Sequence, residues 1–144
     1  MAGAGQGSPG PRERNRQERS ARIQGAARDL FSAQGYAATT TQQIADRAGL
    51  PIATLFRYAR SKAELLILVT NDSFDASVRQ GISAAAGHAE PEAACRALLA
   101  PVVRAGLSAP ELTGHYQREL TFGATDDPGR AAGLRIVAEL TGEL

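Results

Sequence analysis

Residues 39–58 read TTTQQIADRAGLPIATLFRY, and this stretch decides the fold. The threonines offer an N-cap hydroxyl to a helix carrying Ile44, Ala45 and Ala48. Gly49 stops that helix after about two turns. Leu50 and Pro51 follow, and a second short helix runs through Thr54, Leu55 and Tyr58. Pro51 suits its first position, where a missing N–H costs nothing. Two short helices joined by a glycine-containing turn form a helix-turn-helix unit, whose second helix is shaped to enter the major groove of a duplex.

Upstream, Ile23, Ala26, Ala27, Leu30 and Phe31 make one apolar stripe on a 3.6-residue period, so a helix is predicted over 12–34. Gly35 supplies a left-handed C′ position, and Tyr36 folds back as its apolar partner. Residues Met1–Pro11 are rich in Gly, Ala, Pro and Ser without periodicity, and read as a flexible arm. Downstream, Ser61-Lys62-Ala63-Glu64 is a capping box in which the serine serves the N3 amide and the glutamate returns to the cap amide. A long helix follows toward Ser83, with Leu66, Thr70, Phe74, Val78 and Ile82 every fourth residue. Gly87 lies in a loop, and Pro91 opens a fifth helix with Pro101 as a kink inside it. Pro110 opens a sixth helix to about Phe122, and Asp127-Pro128 caps a seventh.

Composition agrees with an all-α protein. Apolar residues make up 43% of the 144 and aromatics 5%; alanine, the strongest helix former, dominates, while β-branched and aromatic clusters are scarce. A single cysteine, Cys95, rules out an intramolecular disulfide. The longest apolar run, Leu65–Val69, is too short to span a bilayer, and the N-terminus lacks the apolar core of a secretory signal. A cytoplasmic protein with no membrane partner is therefore expected. The net charge of +1 hides an asymmetry: ten Lys/Arg against four acids through Lys62, and six against eleven from Ala63 onward. A basic front joined to an acidic back suggests that only the front meets a polyanion. Cys95, His88 and His115 fit no metal-site spacing. No nucleophile elbow, phosphate loop or paired-carboxylate motif is present, so neither an enzyme nor a cofactor is indicated.

Residues 22–66 resemble the DNA-binding domain of the TetR family. The resemblance rests on Ala26-Ala27-x-x-Leu30-Phe31, Gly35-Tyr36, the threonine run, Ile44-Ala45, Ala48-Gly49-Leu50, Thr54-Leu55-Phe56-Arg57-Tyr58 and Ser61-Lys62-x-Glu64-Leu65-Leu66. The sequence departs from the family pattern at four points. Pro51 stands for a usual serine, Ala53 for a frequent glycine, Phe56 for a common tyrosine and Ala59 for a favoured phenylalanine. The last change removes a large core side chain and implies looser contact between the third and fourth helices. The resemblance implies an N-terminal three-helix helix-turn-helix domain over 12–62, then an all-helical ligand-binding and dimerisation domain over 63–144. It also implies two further long helices, so the second domain reads as incomplete.

Ile52, Ala53, Thr54 and Arg57 are the candidates for base edges, with Gln42 and Gln43 nearby on the preceding helix. Arginine pairs with guanine, and Ile or Thr methyls suit the thymine methyl. Arg57 fits a phosphate contact equally well. Thr40, Thr41, Tyr58 and Lys62 are the phosphate candidates, the threonines combining capping with anion binding at a helix N-terminus. Arg12, Arg14, Arg16 and Arg19 suit either an adjacent minor groove or non-specific attraction. Leu30, Phe31, Ile44, Leu50 and Leu55 read as core.

The resemblance implies a repressor that responds to a small-molecule effector, and one short recognition helix per head calls for a homodimer on a palindromic operator in double-stranded DNA. The effector is expected in an apolar cavity bounded by Phe74, Leu98, Val102, Tyr116 and Leu120. Pairing is expected through the seventh helix, with Leu134, Val137 and Ala138. The alternatives are a ligand-independent activator or architectural protein, and a helical protein-interaction module.

Overall fold

A computed structural model describes residues 7–143 of the chain, and among these residues it contains seven α-helices and no strand. They are α1 (Pro11–Gln34), α2 (Thr41–Ala48), α3 (Ile52–Leu55), α4 (Lys62–Ala85), α5 (Pro91–Ser108), α6 (Pro110–Phe122) and α7 (Pro128–Gly142). Most of the arm expected over Met1–Pro11 lies outside the described residues. Helix α1 begins at Pro11 itself, because the fixed φ of proline is already helical and its missing N–H would be unpaired there anyway. Helix α4 runs two residues beyond Ser83, through Ala84 and Ala85, which favour helix.

The apolar stripe of α1 closes on α2 and α3. Ile23, Ala26, Ala27 and Phe31 are buried against Ile44, Ala45, Ala48 and Leu55. The same core takes Leu65, Leu66 and Val69 from the first turns of α4. The core of this N-terminal unit, the head, therefore extends past Lys62, and α4 serves two units. Its Ile67 belongs instead to a second apolar cluster with Tyr116 and Leu120 of α6, with Phe74 and Val137 packed at its edge.

Beyond the head, α5 and α7 both pack along α4. At Gly81 the α4 and α5 backbones meet so closely that a Cβ would land on the Leu98 carbonyl. Helix α7 is tied down by polar contacts. Asn71 Nδ2 donates to the Gly129 carbonyl at 2.9 Å, and the Tyr116 hydroxyl donates to Asn71 Oδ1 at 2.6 Å. Asp127 caps α7 by accepting from the Gly129 amide at 2.9 Å. Burial pushes the Tyr116 phenol up to about 12, because ionised oxygen is poorly solvated there.

Candidate nucleic-acid interface

The turn between α2 and α3 is built by two local devices. Gly49 adopts φ 66° and ψ 39°, the left-handed region, and Leu50 N–H reaches back to the Ala45 carbonyl at 3.0 Å. This is a Schellman ending, and it turns the chain sharply toward α3. From α1, Arg22 then donates to the Ala48 carbonyl at 2.6 Å and the Gly49 carbonyl at 3.2 Å, satisfying acceptors that the end of α2 leaves open. Gly35, expected to be left-handed too, instead has φ 82° and ψ 166°. That positive-φ extended conformation is open to glycine alone, and it lets Tyr36 pack on Phe31 with ring centroids 5.5 Å apart.

Pro51 is the N-cap of α3 and not its first residue. With ψ 144° it remains extended, and its carbonyl accepts from Thr54 and Leu55 at 2.9 and 3.2 Å. Helix α3 proper is shorter than the sequence suggests. Past Leu55 the backbone coils on through Tyr58 by i→i+3 bonds, Arg57 to Thr54 at 3.1 Å and Tyr58 to Leu55 at 2.9 Å. Leu55 anchors this element in the core while Ala53 and Arg57 stand exposed and Ile52 and Thr54 half-buried on its surface. The Arg57 side chain makes no hydrogen bond or ion pair among the described residues.

The phosphate candidates are placed in different ways. Thr40 is the N-cap of α2 in a complete capping box: its hydroxyl accepts from the Gln43 amide at 3.1 Å, and Gln43 Oε1 accepts from the Thr40 amide at 3.0 Å. Gln43 is thereby committed to the cap, and its Oε1 also accepts from Gln34 at 3.0 Å. Gln42 pairs with Asp46 at 2.8 Å, and Thr41 occupies the first helical position, half-buried. Tyr58 packs its ring against the head's core. The Lys62 ammonium lies 4.3 Å from the centre of the Tyr36 ring and donates to the Tyr36 carbonyl at 2.9 Å. It joins the start of α4 to the α1–α2 turn, leaving only part of its donor capacity for an anion.

Two functional-looking residues escape the sequence reading. Arg22 carries a weak signal, a cation at the edge of the α1 apolar stripe. Arg60 carries none. The Ser61 hydroxyl accepts from the Glu64 amide at 3.2 Å as a capping box requires, but the Glu64 carboxylate bypasses the cap amide. It accepts from the Arg60 amide at 2.6 Å and from Arg60 Nε at 2.7 Å, because both donors come from one residue that can chelate it. Arg60 then reaches Asp126 at 3.3 Å, linking the head to the α6–α7 loop. Hydrogen bonds to Glu64 and then to Asp126 raise the Arg60 pKa above its ordinary value. A cleft of about 300 Å³ opens here beside buried Ala59, walled by Phe56, Arg60, Glu64, Leu68 and Gly129. It lies between the segment after α3, the first turns of α4 and the start of α7.

Matching these features, residues 23–69 fit the family model described as bacterial regulatory proteins of the tetR family. Over these residues the chain is similar to the DNA-binding domain of that family. The likeness extends beyond it to the helical body. A TetR transcriptional regulator from Rhodococcus sp. RHA1 is 26% identical, with a TM-score of 0.68 over 89% of this chain and 71% of that one. A TetR family regulator from Marinobacter aquaeolei VT8 shares the fold at 22% identity and a TM-score of 0.60, covering 92% of this chain and 69% of the other. Another, from Thermus thermophilus, does so at 23% identity and 0.60, covering 85% and 65%. No significant match was found among curated protein sequences. The chain thus has the fold of TetR-family DNA-binding transcription regulators.

In the TetR-like body, the five side chains expected to bound a cavity do not share one space. Phe74, Tyr116 and Leu120 come together, the first two edge to face at 6.1 Å, and pack around Ile67. Leu98 is buried on α5, and half-buried Val102 stands a turn further along that helix; neither joins that cluster. On α7, Val137 turns inward while Leu134 and Ala138 remain exposed. No helix among the described residues is long and apolar enough to cross a membrane.

Proposed function

We propose that the chain is a ligand-responsive repressor that reads a palindromic operator as a homodimer, with the head over 12–62 and the regulatory body over 63–144. The observation that carries this reading is the surface of the α3 element. Ala53, Thr54 and Arg57 stand on one support, anchored by Leu55, and Arg57 pairs with no acid among the described residues. Thr40, Thr41, Tyr58 and Lys62 flank this support as phosphate contacts, and Ile52, Gln42 and Gln43 complete its edge. Arg22 and Gly49 fix the angle between the two helices of the motif.

A single head offers few base contacts for the ~10⁻⁸–10⁻¹¹ M affinities typical of specific readers, so two-fold pairing on half-sites about 34–36 Å apart, or a multiple of that, follows. An effector seated between α4 and α6 would part the Phe74–Tyr116 ring contact and the Tyr116–Asn71 bond. Asn71 also holds Gly129, so this would move the start of α7 and the Asp126 loop that grips Arg60. A cytoplasmic, non-enzymatic role fits the same reading. Selection of bound fragments from sheared genomic DNA tests it: a recurring inverted repeat supports the proposal, and unstructured recovery of all fragments refutes it.

A further inference from the structure

The first part of α1 has no core to serve. Its residues 11–19 are exposed, and burial begins only at Ile23. Eleven residue steps therefore separate Arg12 from the first core contact at Ile23, a helical overhang of about 16 Å. At about 100° per residue, Arg12, Arg16 and Arg19 lie within roughly 60° of one another on the helix surface. They continue the line of Ile23, Ala26, Ala27 and Leu30, the stripe that α2 and α3 cover further along. Glu13 and Glu18 lie off that line, and Gln17 pairs with Glu13 at 3.3 Å. None of Arg12, Arg16 and Arg19 makes an ion pair among the described residues. The overhang also emerges beside the DNA-reading motif, since Arg22 grips the α2–α3 turn.

We infer that Arg12, Arg16 and Arg19 form a rigid rail for the phosphate backbone, extending the footprint past the bases that α3 meets. The inference rests on the head's binding double-stranded DNA. A rigid helix presents three guanidinium groups in fixed register, so they act as a unit and neutralise phosphates without reading sequence. The acid-poor face and the polyanionic duplex are complementary in charge. Holding the arginines on a helix removes the ordering cost that a floppy arm would carry on binding.

The test uses the full chain and a random-sequence duplex in anisotropy titrations at graded salt. Arg12→Gln/Arg16→Gln/Arg19→Gln keeps helix propensity, and circular dichroism checks that the fold is retained. Three lost phosphate contacts should flatten the slope of log K against log salt by about 2.7 for each head bound to the duplex. Between about 50 and 200 mM salt, the variant should then lose roughly 40-fold less affinity per bound head than the unmodified protein. The corresponding triple lysine variant should keep the original slope, because phosphate contact needs charge alone. Preference among duplex sequences should be the same in all three proteins. If the unmodified protein binds duplex and the glutamine variant shows the same slope, the rail is overturned while the DNA-binding reading stands. If the glutamine variant loses binding only to vesicles containing anionic lipid, the rail is likewise overturned in favour of a membrane surface. If the unmodified protein binds no duplex at any salt, both readings fall.

Discussion

The Tyr116 hydroxyl donates to the Asn71 side-chain oxygen at 2.6 Å, while the Asn71 nitrogen donates to the Gly129 carbonyl at 2.9 Å. Three helices, α4, α6 and α7, thus share one buried polar joint. Tyr116→Phe strands the asparagine oxygen, and should cost about 1–3 kcal/mol in urea unfolding near neutral pH. The phenol's pKa is raised in the folded state, to about 12 from the ordinary 10. Its stabilising effect is therefore complete below pH 10 and is lost as the pH climbs toward 12. Over that window the unmodified protein should lose roughly 2–3 kcal/mol through this group, and Tyr116→Phe should be spared that loss.

Glycines on α4 and α1 should respond with opposite signs. A Cβ at Gly81 meets the backbone oxygen of Leu98, which cannot swing aside, so Gly81→Ala should force α4 and α5 apart and cost about 1–3 kcal/mol. At Gly25 a Cβ meets open space within a helix, so Gly25→Ala should stabilise by about 0.5–1 kcal/mol. Thermal melts of the two variants against the parent check both signs.

Lys62 and Arg57 should separate into different kinds of defect. The Lys62 ammonium already binds the Tyr36 carbonyl and ring, so Lys62→Ala should destabilise the head by about 1–2 kcal/mol as well as weaken duplex binding. The Arg57 side chain makes no hydrogen bond or ion pair among the described residues, so Arg57→Ala should leave stability within about 0.5 kcal/mol. Unfolding curves of the two variants, measured without DNA, distinguish these outcomes.

The fold is largely legible in the residues because its signals are local. The α1 stripe, Thr40 before Ile44, Gly49 after Ala48, and Pro91, Pro110 and Pro128 at helix starts each act within one or two turns. What is not legible depends on contacts far apart in the chain. Lys62 reads as a free phosphate ligand in the sequence because nothing nearby shows that the Tyr36 carbonyl lies within its reach. The Arg60–Asp126 bridge joins residues 66 positions apart, and no periodicity announces it. Phe74, Tyr116 and Leu120 read as cavity walls since apolar faces alone do not tell a packed cluster from a lined space. Helix α3 is shorter than expected because Pro51 stays extended as a cap and the backbone past Leu55 tightens into i→i+3 turns.

The central claim, that the α3 surface reads sequence in double-stranded DNA, is tested most directly by parallel selection from a randomised duplex pool. The unmodified protein and a Thr54→Ala/Arg57→Ala variant are carried through the same rounds, with duplex binding at low salt measured for each. The account predicts that the unmodified protein converges on a recurring sequence. The variant should still bind duplex at low salt, where phosphate contacts suffice, but lose preference of about 1–3 kcal/mol at the positions Arg57 contacts. Convergence of both proteins on the same sequence with equal strength, or no convergence by the unmodified protein, would contradict it.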